Sequence, residues 1–213
     1  MRFLITAGGT REYIDPVRFI SNASSGKMGF SLARAALAAG HRVTLIAAPT
    51  LLSPPAGARL VSVTTAGQMF QAVKEYLPRC DCLVMAAAVS DYTVARPSRA
   101  KIKKTGRPVT LRLVPTPDIL QWAARHKRIR NPQSAIRNRL IVGFALEDRQ
   151  IRQNAEKKLR DKRLDMIVAN TPAAIGADTS ALHVKTPAGP WVELPAASKA
   201  ANARRIIRLI ESL

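Results

Sequence analysis

The chain has 213 residues and is 47% hydrophobic, enough for the core of one α/β domain or two small ones. It carries 34 Lys and Arg against 14 Asp and Glu, a formal net charge of +20, with most of the excess between Arg99 and Arg163. No run approaches the roughly 20 apolar residues of a membrane span, and the apolar start reaches Gly8 and Gly9 before a secretory core would be complete, so a soluble, cytoplasmic protein is expected.

In chain order, residues 2–7 read as a buried strand that ends in glycines. Apolar residues then recur at helical spacing over 28–39 (Met28, Leu32, Ala35, Ala36, Ala39), and Gly40 supplies a stop. Residues 43–47 make the next strand, so the chain opens with a βαβ unit, which calls for parallel strands and a right-handed crossover. A strand at 60–64 and a helix at 66–77 follow. Residues 82–89 are almost wholly apolar, as in a central strand covered on both faces. Ala86, Ala87 and Ala88 leave little bulk at its carboxyl end, the end where open α/β sheets bind ligands. Ser90 and Asp91 follow it and can face such a site.

Residues 92–108 mix prolines, a glycine and a Lys/Arg cluster, and read as a mobile basic flap outside the packed elements. A strand is expected at 109–114. Thr116-Pro117-Asp118 announces a helix: a capping hydroxyl, Pro in the first turn and an acid at the positive end. That helix runs to about His126, and a basic insertion occupies 127–139. Strands at 140–144 and 165–169 flank a helix with Ile151, Ala155 and Leu159 inward. Lys158 and Lys162 share a face of that helix and can reach one anion. Residues 183–185 and 191–194 read as a terminal hairpin, and 198–212 as a closing helix. Alternating strands and helices give a single three-layer, Rossmann-like α/β domain with a mainly parallel sheet.

The stretch from Thr6 to Gly29, TAGGTREYIDPVRFISNASSGKMG, carries the strongest chemical signal. Gly8 and Gly9 allow a tight turn and close approach of backbone to a ligand. Ser24, Ser25 and Gly26 fall where a helix begins and free N–H groups can hold an anion, and Lys27 adds positive charge there. This is neither a compact dinucleotide fingerprint nor a P-loop, since Met28 follows Gly26-Lys27.

The charge admits three readings: steering of polyanionic substrates, nucleic-acid binding, or a solvated surface with a compositional bias toward Arg. The basic stretches lack aromatic stacking platforms and nucleic-acid motifs, which argues against the second. Cys80 and Cys82 are too few and too close for a disulfide framework. Scattered His41, His126 and His183 complete no metal cluster with them.

The same central stretch resembles the phosphopantothenate–cysteine ligase family, whose pattern is a GG-T turn followed by DPVRxIxNxSSGKMG. Further similar motifs follow in order: AAAVSDY at 86–92, KIKK at 101–104, PDIL at 117–120, VGFALE at 142–147 and KxxDxIVAN at 162–170. The resemblance covers nearly the whole chain, 1–213, as one ligase domain.

It implies an enzyme of coenzyme A biosynthesis that joins 4′-phosphopantothenate to L-cysteine. The nucleotide activates the carboxylate as an acyl-nucleotide with loss of pyrophosphate; the cysteine amine then displaces nucleoside monophosphate. The SSGKMG and KIKK forms favour CTP over ATP, with Mg²⁺ bridging the triphosphate and no flavin; the ligands of that metal stay open.

By the same resemblance, nucleotide-binding positions are Gly8, Ser24, Gly26, Gly29, Met85, Ala86, Ala87, Asp91, Lys101, Pro117, Asp118, Ile119, Leu120, Phe144, Lys158, Lys162 and Asn170. Asn22, Ala87, Ala88 and Asp91 face the acyl substrate. Asn22 promotes the second half-reaction, Lys101 acts on the triphosphate, and Arg18 reaches the partner subunit's site in a homodimer. Thr171 and Leu146 depart from the family's usual Asp and Ala, which leaves base selection near Phe144 open. With Met1 so close to the first strand, the flavin-dependent decarboxylase domain that precedes many bacterial ligases is expected to be absent, and a separate decarboxylase is a conceivable partner. Competing classes are an NAD(P)-dependent Rossmann-type reductase, against which stands the missing acid near Ala47, and a nonenzymatic nucleic-acid binder.

Overall fold

The computed structural model describes residues 1–128 and 138–213; most of the basic insertion at 127–139 therefore lies outside the described residues. Strands β1 (Arg2–Ala7), β2 (Arg11–Tyr13) and β3 (Phe19–Ser21) lead to helix α1 (Lys27–Ala38), then β4 (Arg42–Ala47), β5 (Arg59–Ser62) and α2 (Ala66–Tyr76). The chain continues through β6 (Cys82–Met85), β7 (Tyr92–Val94), β8 (Leu113–Pro115), α3 (Ile119–Arg125), β9 (Leu140–Leu146), α4 (Ile151–Asp161) and β10 (Met166–Asn170). It closes with β11 (Thr179–Lys185), β12 (Val192–Ser198) and α5 (Lys199–Glu211).

The main sheet has eight strands in the order β12-β11-β10-β9-β6-β1-β4-β5. From β10 to β5 every neighbouring pair is parallel, and β11 and β12 add an antiparallel hairpin. The alternation of β1 explains the three layers. Phe3, Ile5 and Ala7 pack toward α1 and α5, whereas Leu4 packs toward α2, α3 and α4. Each fully buried Leu, Ile or Phe of this kind is worth about 1.5–3 kcal/mol of transfer free energy. Outermost β12 shifts register where it carries Pro195 and Ala196, a break that an edge strand tolerates.

Several expectations need correction. The central strand stops at Met85, not residue 89, because the neighbouring β1 ends at Ala7. Beyond that point Ala88 N–H bonds Gly8 O at 2.9 Å and Thr10 N–H bonds Ala88 O at 3.2 Å, a single bridge in place of a ladder. The presumed flap is partly packed: Tyr92–Val94 pairs antiparallel with Leu113–Pro115, so the strand placed at 109–114 begins later. Helix α3 is capped by Asp118, which accepts Gln121 N–H at 2.9 Å. Thr116 instead donates its hydroxyl to Ser90 O at 2.6 Å.

The loop after β1 holds a hairpin that sequence alternation does not reveal. Strands β2 and β3 pair through Glu12↔Ile20, and Asp15 organises the turn. Its buried carboxylate accepts N–H from Val17 at 2.8 Å, Arg18 at 2.9 Å and Ile102 at 3.1 Å. The Arg18 guanidinium, 3.0 Å away through Nε, holds Asp15 far below the usual carboxylate range, and these backbone donors add to it. Glu12, also buried, accepts Ala66 N–H at 2.7 Å and so seats the hairpin on the positive end of α2.

Candidate active site

A cavity of about 690 Å³ opens at the carboxyl ends of β6, β9 and β10, beside the start of α1. Strand β1 is the point where the order reverses: α1 carries the chain to β4 on one side, and the later strand β6 lies on the other. Loops leaving the two sides diverge there, which is why such sheets bind ligands at this position.

One wall is the start of α1. Its cap, Gly26, has φ 77°, a left-handed conformation that a side chain would strain. The cap offers no side-chain bond, and no acid stands in the first turn. Gly26 and Lys27 N–H make only long contacts, 3.4 and 3.5 Å, to Ser24 Oγ and Ser25 Oγ, so this turn at the cavity wall keeps donor capacity and the positive helix end for an anion. Gly29 lets helix and strand touch: a Cβ there would lie 2.6 Å from Ala7 Cβ and 2.9 Å from Thr6 O.

The floor is the end of β6. Thr6 Oγ1 accepts Ala87 N–H at 3.1 Å, and Ser90 N–H bonds Thr10 Oγ1 at 2.9 Å, so the 86–91 segment is pinned to the first loop. Asn22 reaches over this segment and donates Nδ2–H to Ala88 O at 3.1 Å. Thr116 N–H fixes Asp91 through its carbonyl at 2.9 Å.

The opposite wall comes from α3, β9 and α4. Lys158 Nζ donates to Phe144 O at 2.7 Å and Lys162 Nζ lies 3.0 Å from Asp118 Oδ2. Burial lowers the Lys158 pKa, and Lys162 pushes it down further, against the opposing pull of Glu147, Asp91 and Asp118. Burial works against ionised Asp118, but Gln121 N–H, Lys162 and Lys158 together outweigh it and hold its pKa below the ordinary value.

The cavity thus brings together Asn22, Ser24, Gly26, Gly29, Met85, Ala86, Ala87, Ala88, Asp91, Pro117, Asp118, Ile119, Leu120, Phe144, Lys158, Lys162 and Asn170. Gly8, Arg18 and Lys101 do not line it. Gly8 lies directly behind Gly26, and exposed Lys101 precedes the Ile102 that Asp15 and Arg18 hold. Arg18 is engaged within its own chain, to Asp15 and to Ile102 O at 2.6 Å.

Sequence reasoning did not place Tyr92, Ile175, Gly176 or Lys199 in the lining. Only Gly176 carries a signal, as a turn residue beyond a strand end. Lys199 is buried at the first turn of α5, its pKa lowered by burial and by Lys27 and raised in part by Asp178. Among the described residues no group of three His, Cys, Asp or Glu could hold a metal ion, and no helix is long and apolar enough to cross a membrane.

Fold and cavity define a Rossmann-like α/β protein whose site, at the sheet's switch point, is walled by a helix amino terminus and by lysines. The chain belongs to the DNA/pantothenate metabolism flavoprotein C-terminal domain family, whose sequence model matches residues 1–213. It is 40% identical over 215 residues to the coenzyme A biosynthesis bifunctional protein CoaBC of Bacillus subtilis, covering 99% of this chain and 51% of that protein. It is 39% identical over 217 residues to a cysteine/cysteine sulfinic acid decarboxylase of an unknown prokaryotic organism, covering 100% of this chain and 58% of that protein. The crystal structure of the C-terminal domain of a CoaBC protein aligns with TM-score 0.82 at 36% identity, covering 99% of this chain and 94% of that one. The chain spans about half the length of the curated relatives it matches.

Proposed function

We propose that this domain is a phosphopantothenate–cysteine ligase. A carboxylate is a poor electrophile, so a nucleoside triphosphate, CTP by preference, first converts 4′-phosphopantothenate into an acyl-nucleotide and pyrophosphate. The amine of L-cysteine then attacks the acyl carbon and nucleoside monophosphate leaves. The observation that carries this reading is the cavity's polarity: an α1 terminus with no acid in its first turn on one wall and Lys158 and Lys162 on the other, in a chain with relatives named for coenzyme A biosynthesis.

Residues of the chain divide the work. The first turn of α1 and the lysines hold phosphate charge. The small side chains of Ala86, Ala87 and Ala88 leave room for the acyl arm. Asn22 can turn its amide from Ala88 O to the acyl oxygen and stabilise charge that develops there. Lys101 lies outside the cavity lining and is assigned to the triphosphate by the KIKK motif it shares with the ligase family.

A Mg²⁺ ion fits as a partner of the triphosphate more than of the protein, because such ions need only one or two carboxylates beside phosphate oxygens. Asp118 is committed to Lys162 and Gln121, which leaves Asp91 to meet the ion. When bound, Mg²⁺ would neutralise charge on the transferring phosphates. A homodimer is part of this reading, with Arg18 giving up Ile102 O to reach the partner subunit's site, and a separate decarboxylase is a conceivable partner.

The test is direct. The protein is incubated with phosphopantothenate, cysteine, Mg²⁺ and either CTP or ATP, and pyrophosphate and amide product are measured. Pyrophosphate release that requires phosphopantothenate supports the ligase and its ratio between nucleotides sets the preference. Hydride transfer, or salt-sensitive duplex binding without that release, would move the assignment to a reductase or a nucleic-acid binder.

A further inference from the structure

Lys27 is the first residue of α1 and lines the cavity, yet its ammonium is already engaged. Nζ donates to Asp178 Oδ1 at 2.6 Å and to Gly176 O at 3.0 Å, both on the loop between β10 and β11. Gly176 lines the cavity too. The contact therefore spans from the anion-binding end of the helix to the far rim.

That loop is secured without Lys27. Lys199 donates Nζ–H to Ala174 O at 3.1 Å and to Ser180 Oγ at 3.1 Å, and its backbone N–H bonds Asp178 O at 3.0 Å. Lys199 is 8% exposed, so it is a fixed anchor. The Lys27–Asp178 pair is the removable member: its side chains are 35% and 88% exposed, a setting in which ion pairs contribute little. Two ammonium groups face one carboxylate here, beside a helix terminus with no acid. The rim keeps an excess of positive charge that one exposed Asp does not cancel.

We propose that Lys27 is a phosphate-binding residue that trades Asp178 and Gly176 for the phosphates of the bound nucleotide. The inference rests on the nucleotide reading above and adds a named contact and a built-in competitor to it. An ammonium has three donors, and one at the head of a helix can follow an anion held by the N–H groups of the same turn. Phosphate offers it a stronger charge-assisted bond than a solvated carboxylate does. Asp178 thereby sets the cost of recruiting Lys27 and tunes affinity without touching the ligand.

A double-mutant cycle tests the exchange. Binding of CTP and of inorganic tripolyphosphate is measured by calorimetry for the wild type, Lys27→Met, Asp178→Asn and the double variant. Lys27→Met should weaken both ligands about tenfold or more, as expected for a lost charge-assisted bond. Asp178→Asn should tighten both by about two- to fivefold, the scale of an exposed ion pair, and this gain should vanish in the Lys27→Met background. A gain that persists there would reduce Asp178 to a distant charge and overturn the exchange, as would unchanged affinity in Lys27→Met. Wild-type protein that binds neither probe would bring down the nucleotide reading itself. Wild-type binding with no coupling would remove only the exchange. Both side chains sit at the rim, and circular dichroism of each variant checks that the fold is kept.

Discussion

Lys162 Nζ lies 3.0 Å from Asp118 Oδ2, so the residue that ends α4 is tied to the residue that caps α3. One carboxylate thus serves a helix terminus and orients a cavity lysine. Replacing Asp118 by Ala should cost about 1 kcal/mol through the lost cap. The sign with pH follows from the lowered pKa: a carboxylate whose folded value lies below 3.8 contributes in full above that value and loses its contribution as pH falls through the lower one. Urea melts of wild type and Asp118→Ala should differ by a constant amount from about pH 8 to about pH 5 and begin to approach each other only below about pH 4, as the carboxylate protonates.

Gly29→Ala places a methyl 2.6 Å from Ala7 Cβ. Neither β1 nor α1 has room to retreat, since Ala7 and Phe30 are buried. A loss of about 1–3 kcal/mol is expected in chemical denaturation, together with weaker nucleotide binding because the start of α1 is pushed from the strand.

Asn22→Asp loses the N–H donor that now meets Ala88 O. Pyrophosphate release should survive while amide formation slows by about 10²–10³-fold, so acyl-nucleotide accumulates and is seen by mass spectrometry. Lys101→Gln should do the opposite and abolish the pyrophosphate burst. Amide formation at the wild-type rate in Asn22→Asp would remove Asn22 from the second step.

Burial pushes the Cys80 thiol up to about 12 and the Cys82 thiol well above its ordinary value. Thiolate is the reactive form. Ellman's reagent at about pH 8 should therefore detect neither thiol in native protein and both after denaturation. Fast native labelling would contradict the packing of β6.

Val17 and Leu113 are 56% and 43% exposed on the two small ribbons. If copies meet through these ribbons, sedimentation should give about twice 23.2 kDa for the wild type, and Val17→Asp or Leu113→Asp should return the mass to that of one chain.

Much of the fold was written in local patterns. The βαβ start and the Lys158/Lys162 pair need only local spacing, and the apolar run read as a strand over 82–89 marks β6, which ends at Met85. Elements set by distant partners were hidden. Strands β2 and β3 have three residues each, too short to alternate, and exist because Asp15 gathers the turn between them. Strand β7 is defined by β8, with the whole 95–112 segment between. Thr116 looked like a cap but bonds Ser90 O, while Asp118 caps. At the site, glycine and serine spacing exposed the start of α1. Lys199 and the Lys27–Asp178 contact carry no local signature, because they join residues far apart in the chain.

The irregular Pro195 margin of the sheet has a consequence for self-association. Where that strand lacks an amide proton and slips its register, a neighbouring molecule cannot zip on an unbroken ninth ribbon. Edge-to-edge pairing of copies is thereby disfavoured on that flank.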